Sequence, residues 1–328
     1  MQYPFVSLMV STFTFERRTI MAELIAYLNG EYIPISQCKV SVMDIGITTG
    51  SSVTDMVRTF NQQIFRLEDH VDRFFAAAKN AYLKIPHTKE EVCEISRKLI
   101  ELNKEVYPEC EFGMCYYVTP GVSYVYAGSA APAGDLQPTY CQHVFPMPFN
   151  LWKPNYTNGI NMITSPIPHV PPQCVSPRGK HRNRLHMRVG DEIVHAMDPT
   201  AMAIYMDQFG NITETGGSNF LIYKDGTVYS PKRRNILWGV SLQTTKELVE
   251  EMGIPFVEED IMIYDVVNAD EAWVTTTPYC IAPVTKFNGQ TIGDGTSPMF
   301  RKILKAWGDR VGKDLWRELV DAQPIQYR

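Results

Sequence analysis

Apolar and polar positions along the chain change period several times, and each change marks an element. Over residues 24 to 65 they alternate in short runs broken by turns. AYLNGEYIP carries a hairpin signal at Asn29-Gly30, and VTDMVRTFNQQIFRL alternates about a polar turn at 61–63. From 68 to 83 the spacing becomes helical, with Val71, Phe74, Phe75, Ala78 and Tyr82 on one side. A second helix is expected over 88–103, opened by a Thr88/Glu91 capping box. Residues 112–119 are apolar enough for a strand, 121–140 are rich in Gly, Ala, Ser and Pro and predict a loop, and 147–154 predict an interdomain linker.

The second half opens with an expected strand over 159–166, a proline-rich loop to 177 and a helix over 183–196. Two hairpins follow, AMAIYMD turning at 208–211 into ITET, and FLIYK turning at Asp225-Gly226 into TVYSP. A helix over 241–252, a strand EAWVTTT and a last helix within 298–320 complete the pattern. Helices and hairpins mixed in both halves predict an α+β fold in two lobes rather than a doubly wound sheet. The expected boundaries are an N-terminal extension (1–22), a small domain (23–146), the linker (147–154) and a large domain with a C-terminal tail (155–328).

Composition narrows the partners more than the chemistry. The 328 residues carry 31 basic and 36 acidic side chains, a formal charge of −5, with 45% hydrophobic and 20% charged residues. This is an ordinary globular balance with no basic block, so neither nucleic acid nor an anionic membrane is an expected partner. No apolar run reaches the roughly 20 residues that a membrane helix needs. Seven scattered cysteines without a C-x-x-C pair indicate reduced thiols in a cytoplasmic protein, and neither a disulfide framework nor a metal site.

Four places could carry chemistry. Lys180 lies in SPRGKHRNRLH among Arg178, Arg182 and Arg184, whose charges would lower the amine's pKa in a buried site; in an exposed one they form a basic patch. Glu214 ends a strand before Gly216-Gly217, where a carboxylate can sit beneath a ligand ring or simply face water. Gly239-Val240-Ser241 opens a helix whose free N–H groups suit a phosphate, or whose Ser241 caps it; the hydroxyls of Thr275, Thr276 and Thr277 can join it. Arg73 is a cation on an otherwise apolar helix.

In order along the chain, these segments resemble the fold-type IV pyridoxal-phosphate enzymes, the class IV aminotransferases. That family includes branched-chain and D-amino acid aminotransferases, (R)-selective amine transaminases and aminodeoxychorismate lyase. The resemblance runs from about Tyr27 to Gly295 through YLNGEYIP, VSVMDIGITTG, VTDMVRTF, FRLEDHVDRFFAAA, GKHRNRL, ITETGGSNFLIYKDGTVYSP, NILWGVSLQTTKEL and DEAWVTTTPYCIAPV. It implies a small N-terminal α/β domain, a larger β-rich pseudo-barrel domain, pyridoxal 5′-phosphate as cofactor and a homodimer with a shared active site. It implies a ping-pong aminotransferase acting on an amino donor and a keto acid. A pyruvate-eliminating lyase and a catalytically silent homologue are the alternatives.

By the same resemblance Lys180 forms the internal aldimine and moves the proton. Glu214 pairs with the pyridine nitrogen, and Leu237 packs on the ring. Arg73, Ser241, Thr276 and Thr277, with the N–H groups of Val240 and Ser241, hold the phosphate. Thr54, Met56 and Arg58 share one face of a strand, the face that lines the substrate pocket in the family. Arg58 is the expected partner of a substrate carboxylate, against a structural ion pair with Asp55 or Asp44. The chain departs from the D-amino acid enzymes at Thr54 and Pro120, and from the branched-chain enzymes at Pro278, which has no N–H to offer a carboxylate.

Overall fold

The computed structural model describes residues 23–123 and 136–325. The expected N-terminal extension over 1–22 and the middle of the 121–140 loop lie outside the described residues.

Alternating residues build the first sheet from six strands: β1 (Ile25–Leu28), β2 (Glu31–Pro34), β3 (Val53–Phe60), β4 (Gln63–Ile64), β5 (Phe112–Thr119) and β6 (Thr139–Pro146). All pairs are antiparallel in the order β2-β1-β6-β5-β3-β4. Asn29 and Gly30 turn β1 into β2 with φ of 49° and 104°, as the Asn-Gly signal requires. A short helix, α1 (Ile45–Thr48), precedes β3, and α2 (Leu67–Asn80) and α3 (Lys89–Lys104) cover one face of the sheet. The expected capping box forms at Thr88 and Glu91. Val53, Val57, Met114, Tyr116 and Val144 point to those helices and pack with Val71, Phe74 and Leu99. Thr54, Met56, Cys115, Tyr117, Cys141 and His143 therefore lie on the opposite face.

β6 falls in part within the stretch read as loop. Its Tyr140, Gln142 and Val144 are buried on the helix side and Cys141 on the other, so both faces are largely covered and no alternation betrays the strand. Gln142 is buried at no cost because it bonds Ser96 Oγ at 2.8 Å and the Tyr140 hydroxyl.

After the 3₁₀ turn at Phe149–Leu151 and α4 (Lys153–Thr157), the second sheet begins. It comprises β7 (Ile160–Thr164), β8 (Met202–Met206), β9 (Ile212–Thr215), β10 (Asn219–Lys224), β11 (Thr227–Pro231), β12 (Phe256–Glu259), β13 (Glu271–Thr276), β14 (Cys280–Phe287) and β15 (Gln290–Thr291). Strands β10-β13-β14-β7-β8-β9 follow one another, and the pairing of Asn219 with Glu214 joins β10 to β9 and closes a barrel. α5 (Leu185–Met197), α6 (Val240–Glu251), α7 (Ile263–Val267), α8 (Pro298–Val311) and α9 (Leu315–Val320) are its helices. β14 escaped the sequence pattern because Pro283 interrupts it and residues 280–284 are all buried. The single last helix expected over 298–320 is two helices, broken where Gly312 takes φ +67°.

Two of the contacts between the lobes lie along β3. Residues 180–182 run antiparallel to 52–54: Thr54 N donates to Lys180 O at 2.8 Å, and Arg182 N donates to Ser52 O at 3.2 Å. Farther along β3, Arg58 Nη2 meets Glu318 of α9 at 2.9 Å, with both side chains almost sealed from water (1% and 5% exposed). Removing one partner of such a buried pair strands the other charge. Glu318→Ala should therefore lose about 3 kcal/mol of stability in denaturant titration, while Arg58→Met with Glu318→Leu should recover most of it. Equal destabilisation by the single and double changes would contradict this.

Candidate active site

Lys180 follows a loop whose prolines at 171, 172 and 177 keep it from becoming helix, so the backbone arrives at 180–182 extended and pairs with β3. Its side chain is half-buried. Burial pushes the amine down to about 8 from its ordinary 10.5, and the Arg184 and Arg73 guanidinium charges push the same way, against the pull of Asp55 and Glu214. The sequence pointed to arginines near Lys180 as the cause. Arg184 is one of them, but burial is the larger effect and Arg73 comes from the other lobe.

Glu214 closes β9 with only 8% of its surface exposed. Asn219 Nδ2 donates to Oε2 at 3.0 Å, and Leu237 N donates to both oxygens at 3.1 and 3.2 Å. The Asn219 amide also donates to Leu237 O at 2.7 Å, so one side chain fixes the acid and the segment bearing Leu237 together. Gly216 and Gly217, expected to allow positive φ or close approach, stay outside the left-handed region and line the cleft beside the acid.

His169 had no sequence signal beyond standing in a proline-rich loop, yet it sits directly behind this carboxylate. Its Nδ1 lies 3.0 Å from Val170 O, which fixes the proton on that nitrogen, and Nε2 faces Glu214 Oε1 at 3.7 Å. Burial alone would lower its pKa, but the neighbouring carboxylate outweighs burial and raises it. At that distance Nε2 makes no hydrogen bond, and in its protonated form the imidazole would place a positive charge behind Glu214.

The opposite end of the cleft is built for an anion. Arg73 grips Asp55 through Nε and Nη2 at 2.8 and 2.7 Å, and its Nη1 donates to Trp238 O at 3.2 Å. Burial would raise the Asp55 carboxyl's pKa, but Arg73 and His70 beside it win and hold it well below the usual range. Arg73 is therefore a fixed charge and not a mobile surface cation. Gly239 is the N-cap of α6 and supplies no capping side chain, so Ser241 does not cap its own helix and the N–H groups of Val240 and Ser241 open toward the cleft. A Cβ at Gly239 would fall 2.3 Å from Asn219 Oδ1, so glycine is required there. Thr276 donates to Gly217 O at 2.9 Å, and the buried Thr275 hydroxyl has no hydrogen-bond partner among the described residues.

Lys180, Glu214, Leu237, Arg73, Val240, Ser241, Thr276 and Thr277 all line this one cleft of about 460 Å³. They stand far apart in the sequence, and the fold brings them together.

The expected substrate side chains fare differently. Arg58 does not reach the cleft: its Nη2 is taken by Glu318, Nη1 by Pro278 O at 2.8 Å and Nε by Thr59 O at 3.0 Å. The structural ion pair is the correct reading, but its partner is neither Asp55 nor Asp44. Asp55 serves Arg73, and Asp44 caps α1 and accepts from Thr139. Thr54 is buried and donates to Tyr116 O at 2.9 Å, and Met56 packs against the core of the large lobe.

The family described as amino-transferase class IV matches residues 52–287. A putative branched-chain-amino-acid aminotransferase of Methanocaldococcus jannaschii is 29% identical over 296 residues, covering 87% of this chain and 98% of that protein. A D-alanine aminotransferase of Staphylococcus aureus is 28% identical, over 86% of this chain and 95% of the other. Among solved structures, the branched-chain amino acid aminotransferase of Escherichia coli superposes with a TM-score of 0.81 at 23% identity, covering 88% and 94% of the two chains. That of Thermobaculum terrenum, solved in its PLP-form, gives 0.77 at 18%, covering 92% and 97%. With the family matching well over half its length and the fold shared across nearly all of it, the chain belongs to the class IV aminotransferases.

Proposed function

We propose that the protein is a pyridoxal 5′-phosphate-dependent aminotransferase that moves an amino group from an amino acid or amine to a keto acid in two half-reactions. The carrying observation is the placement of Lys180, an amine half-buried and lowered to about 8, between an anion-binding end and a buried carboxylate. The residues fit the cofactor at both poles. Arg73, the N–H groups of Val240 and Ser241 and the hydroxyls of Ser241, Thr276 and Thr277 would hold the phosphate. Glu214 would face the ring nitrogen, and Leu237 the ring. The bound cofactor supplies an electron sink for charge developing at the substrate carbon.

The chain's own groups do the rest. Glu214, held by Asn219 and the Leu237 N–H, would set a carboxylate where a protonated ring nitrogen needs one. Lys180 Nζ, neutral above about pH 8, can take a proton from the substrate carbon and return it. Arg73 stays charged and in place because Asp55 holds it. The relatives named above are a branched-chain-amino-acid enzyme in one case and a D-alanine enzyme in the other, so donor and stereochemistry follow from measurement on this chain.

A homodimer sharing its active sites, in the cytoplasm, completes the reading. Val42 and Ile47, 78% and 63% exposed between β2 and β3, offer an apolar surface for a second copy, and no disulfide joins any of the seven cysteines.

Three outcomes test this. Protein mixed with pyridoxal 5′-phosphate should gain a visible absorbance band that borohydride fixes, and Lys180→Ala should not; Glu214→Gln should keep the band but lose about a hundredfold in rate. Without cofactor, the modification rate of Lys180 by trinitrobenzenesulfonate, followed by peptide mapping, should rise with pH through a midpoint near 8; a midpoint near 10.5 would contradict the site's electrostatics. Asp55→Asn should weaken cofactor binding and cost about 3 kcal/mol at pH 7. Since the Asp55 pKa is depressed on folding, its stabilisation is complete above the unfolded value of about 3.9 and is lost as pH falls below it. The stability gap between variant and wild type should therefore hold from pH 7 to 5 and narrow below 4.

A further inference from the structure

With Arg58 sealed against Glu318, the face of β3 that carries Thr54 and Met56 lacks the cation expected to meet a carboxylate. The structure supplies another from the opposite lobe. Residues 180–182 pair with 52–54 as a short extended segment, with His181 opposite Val53. Side chains alternate along an extended chain, so Lys180 and Arg182 point to one side while His181 points to the other. Val53 packs with the helices of the small lobe, so Arg182 lies on the side of the sheet away from those helices. The contacts agree: Arg182 Nη2 lies 3.2 Å from Thr54 Oγ1, a hydroxyl already anchored by donating to Tyr116 O. Cys115, beside Met56 on the neighbouring strand, has its thiol pushed up by burial and pulled down by both Arg182 and Lys180. Both charges act on Cys115, which lies on that face. Arg182 is exposed, and among the described residues no carboxylate pairs with it.

We propose that Arg182 receives the carboxylate of the amino donor and of the keto acid, two residues along an extended segment from the lysine that handles the proton. This rests on the aminotransferase reading and adds to it the residue that would hold the substrate's carboxylate. Positions two apart on such a segment are separated by roughly 6.6 Å along the chain, which lets two long side chains converge on a ligand whose nitrogen and carboxylate are one carbon apart. Thr54 acts as the positioning group, since its hydroxyl accepts from the guanidinium and limits the arginine's swing. Binding energy that a lone exposed cation would lose to entropy is kept by that tether.

The test uses the protein loaded with cofactor. Calorimetry with 4-methylpentanoate, a carboxylate that cannot react, should give binding to wild type, a roughly ten- to hundredfold weaker constant in Arg182→Gln and an intermediate one in Arg182→Lys. The uncharged 4-methylpentanamide should bind wild type and Arg182→Gln alike. With pyruvate and 2-oxoglutarate as acceptors, Arg182→Gln should raise KM by a similar factor with a much smaller change in kcat, and its melting temperature should match wild type. Equal carboxylate affinity in wild type and Arg182→Gln, no carboxylate binding in wild type, or equal loss for acid and amide would each overturn the assignment. Carboxylate binding that depends on Arg182 in a protein that transaminates nothing would leave this assignment standing and sink the aminotransferase reading instead.

Discussion

The three-residue pairing between 52–54 and 180–182 is the contact on which the rest of this molecule depends. Two backbone hydrogen bonds are a small energy, of order 1 kcal/mol each, yet they join a strand of one lobe to the loop that carries the central lysine of the other. Lys180 could be exposed and strongly basic on an isolated barrel. Laid along β3, it lies close enough to Arg73, on a helix of the first lobe, for that charge to help depress its pKa. The chemistry is thus a property of the junction and of neither lobe alone.

Charge is handled in the same way on both sides of the junction. Three buried ions have fixed partners: Asp55 for Arg73, Glu318 for Arg58, and the Asn219 amide with the Leu237 N–H for Glu214. None of these pairs is strong evidence of net stability, because desolvation cancels much of the attraction. What they provide is fixed position. An arginine already held bidentately needs no reorganisation to meet an anion, and a carboxylate held by two N–H donors has little freedom to turn.

Much of this was legible in the sequence wherever the cause was local. The capping box at Thr88, the Asn29-Gly30 hairpin, the strand at 112–119 and the turns beside Glu214 and Gly239 are set by neighbours within a few residues, and the ordered motifs carried Lys180, Glu214 and Arg73 to their places. What escaped was non-local. Arg58 pairs with a residue 260 positions away, so no window of sequence could separate it from a substrate ligand. β6 and β14 are covered on both faces and show no alternation. His169 gains its meaning from a carboxylate on another strand, and Arg182 looked like one more charge in a basic run until the pairing with β3 set its direction.

The barrel of the large lobe is closed at the hairpin from β9 to β10, where Glu214 pairs with Asn219 and Thr215 N donates to Ser218 O at 3.0 Å. Glu214 and Asn219 are also the acid and the amide that steadies it, so this seam of the wall coincides with one end of the cleft. A ligand seated against Glu214 therefore acts as a clasp on that seam. Saturation and cohesion are linked by mass action: each tenfold excess over the dissociation constant adds about 1.4 kcal/mol against opening. Emptying the cleft and loosening the wall become two descriptions of one event.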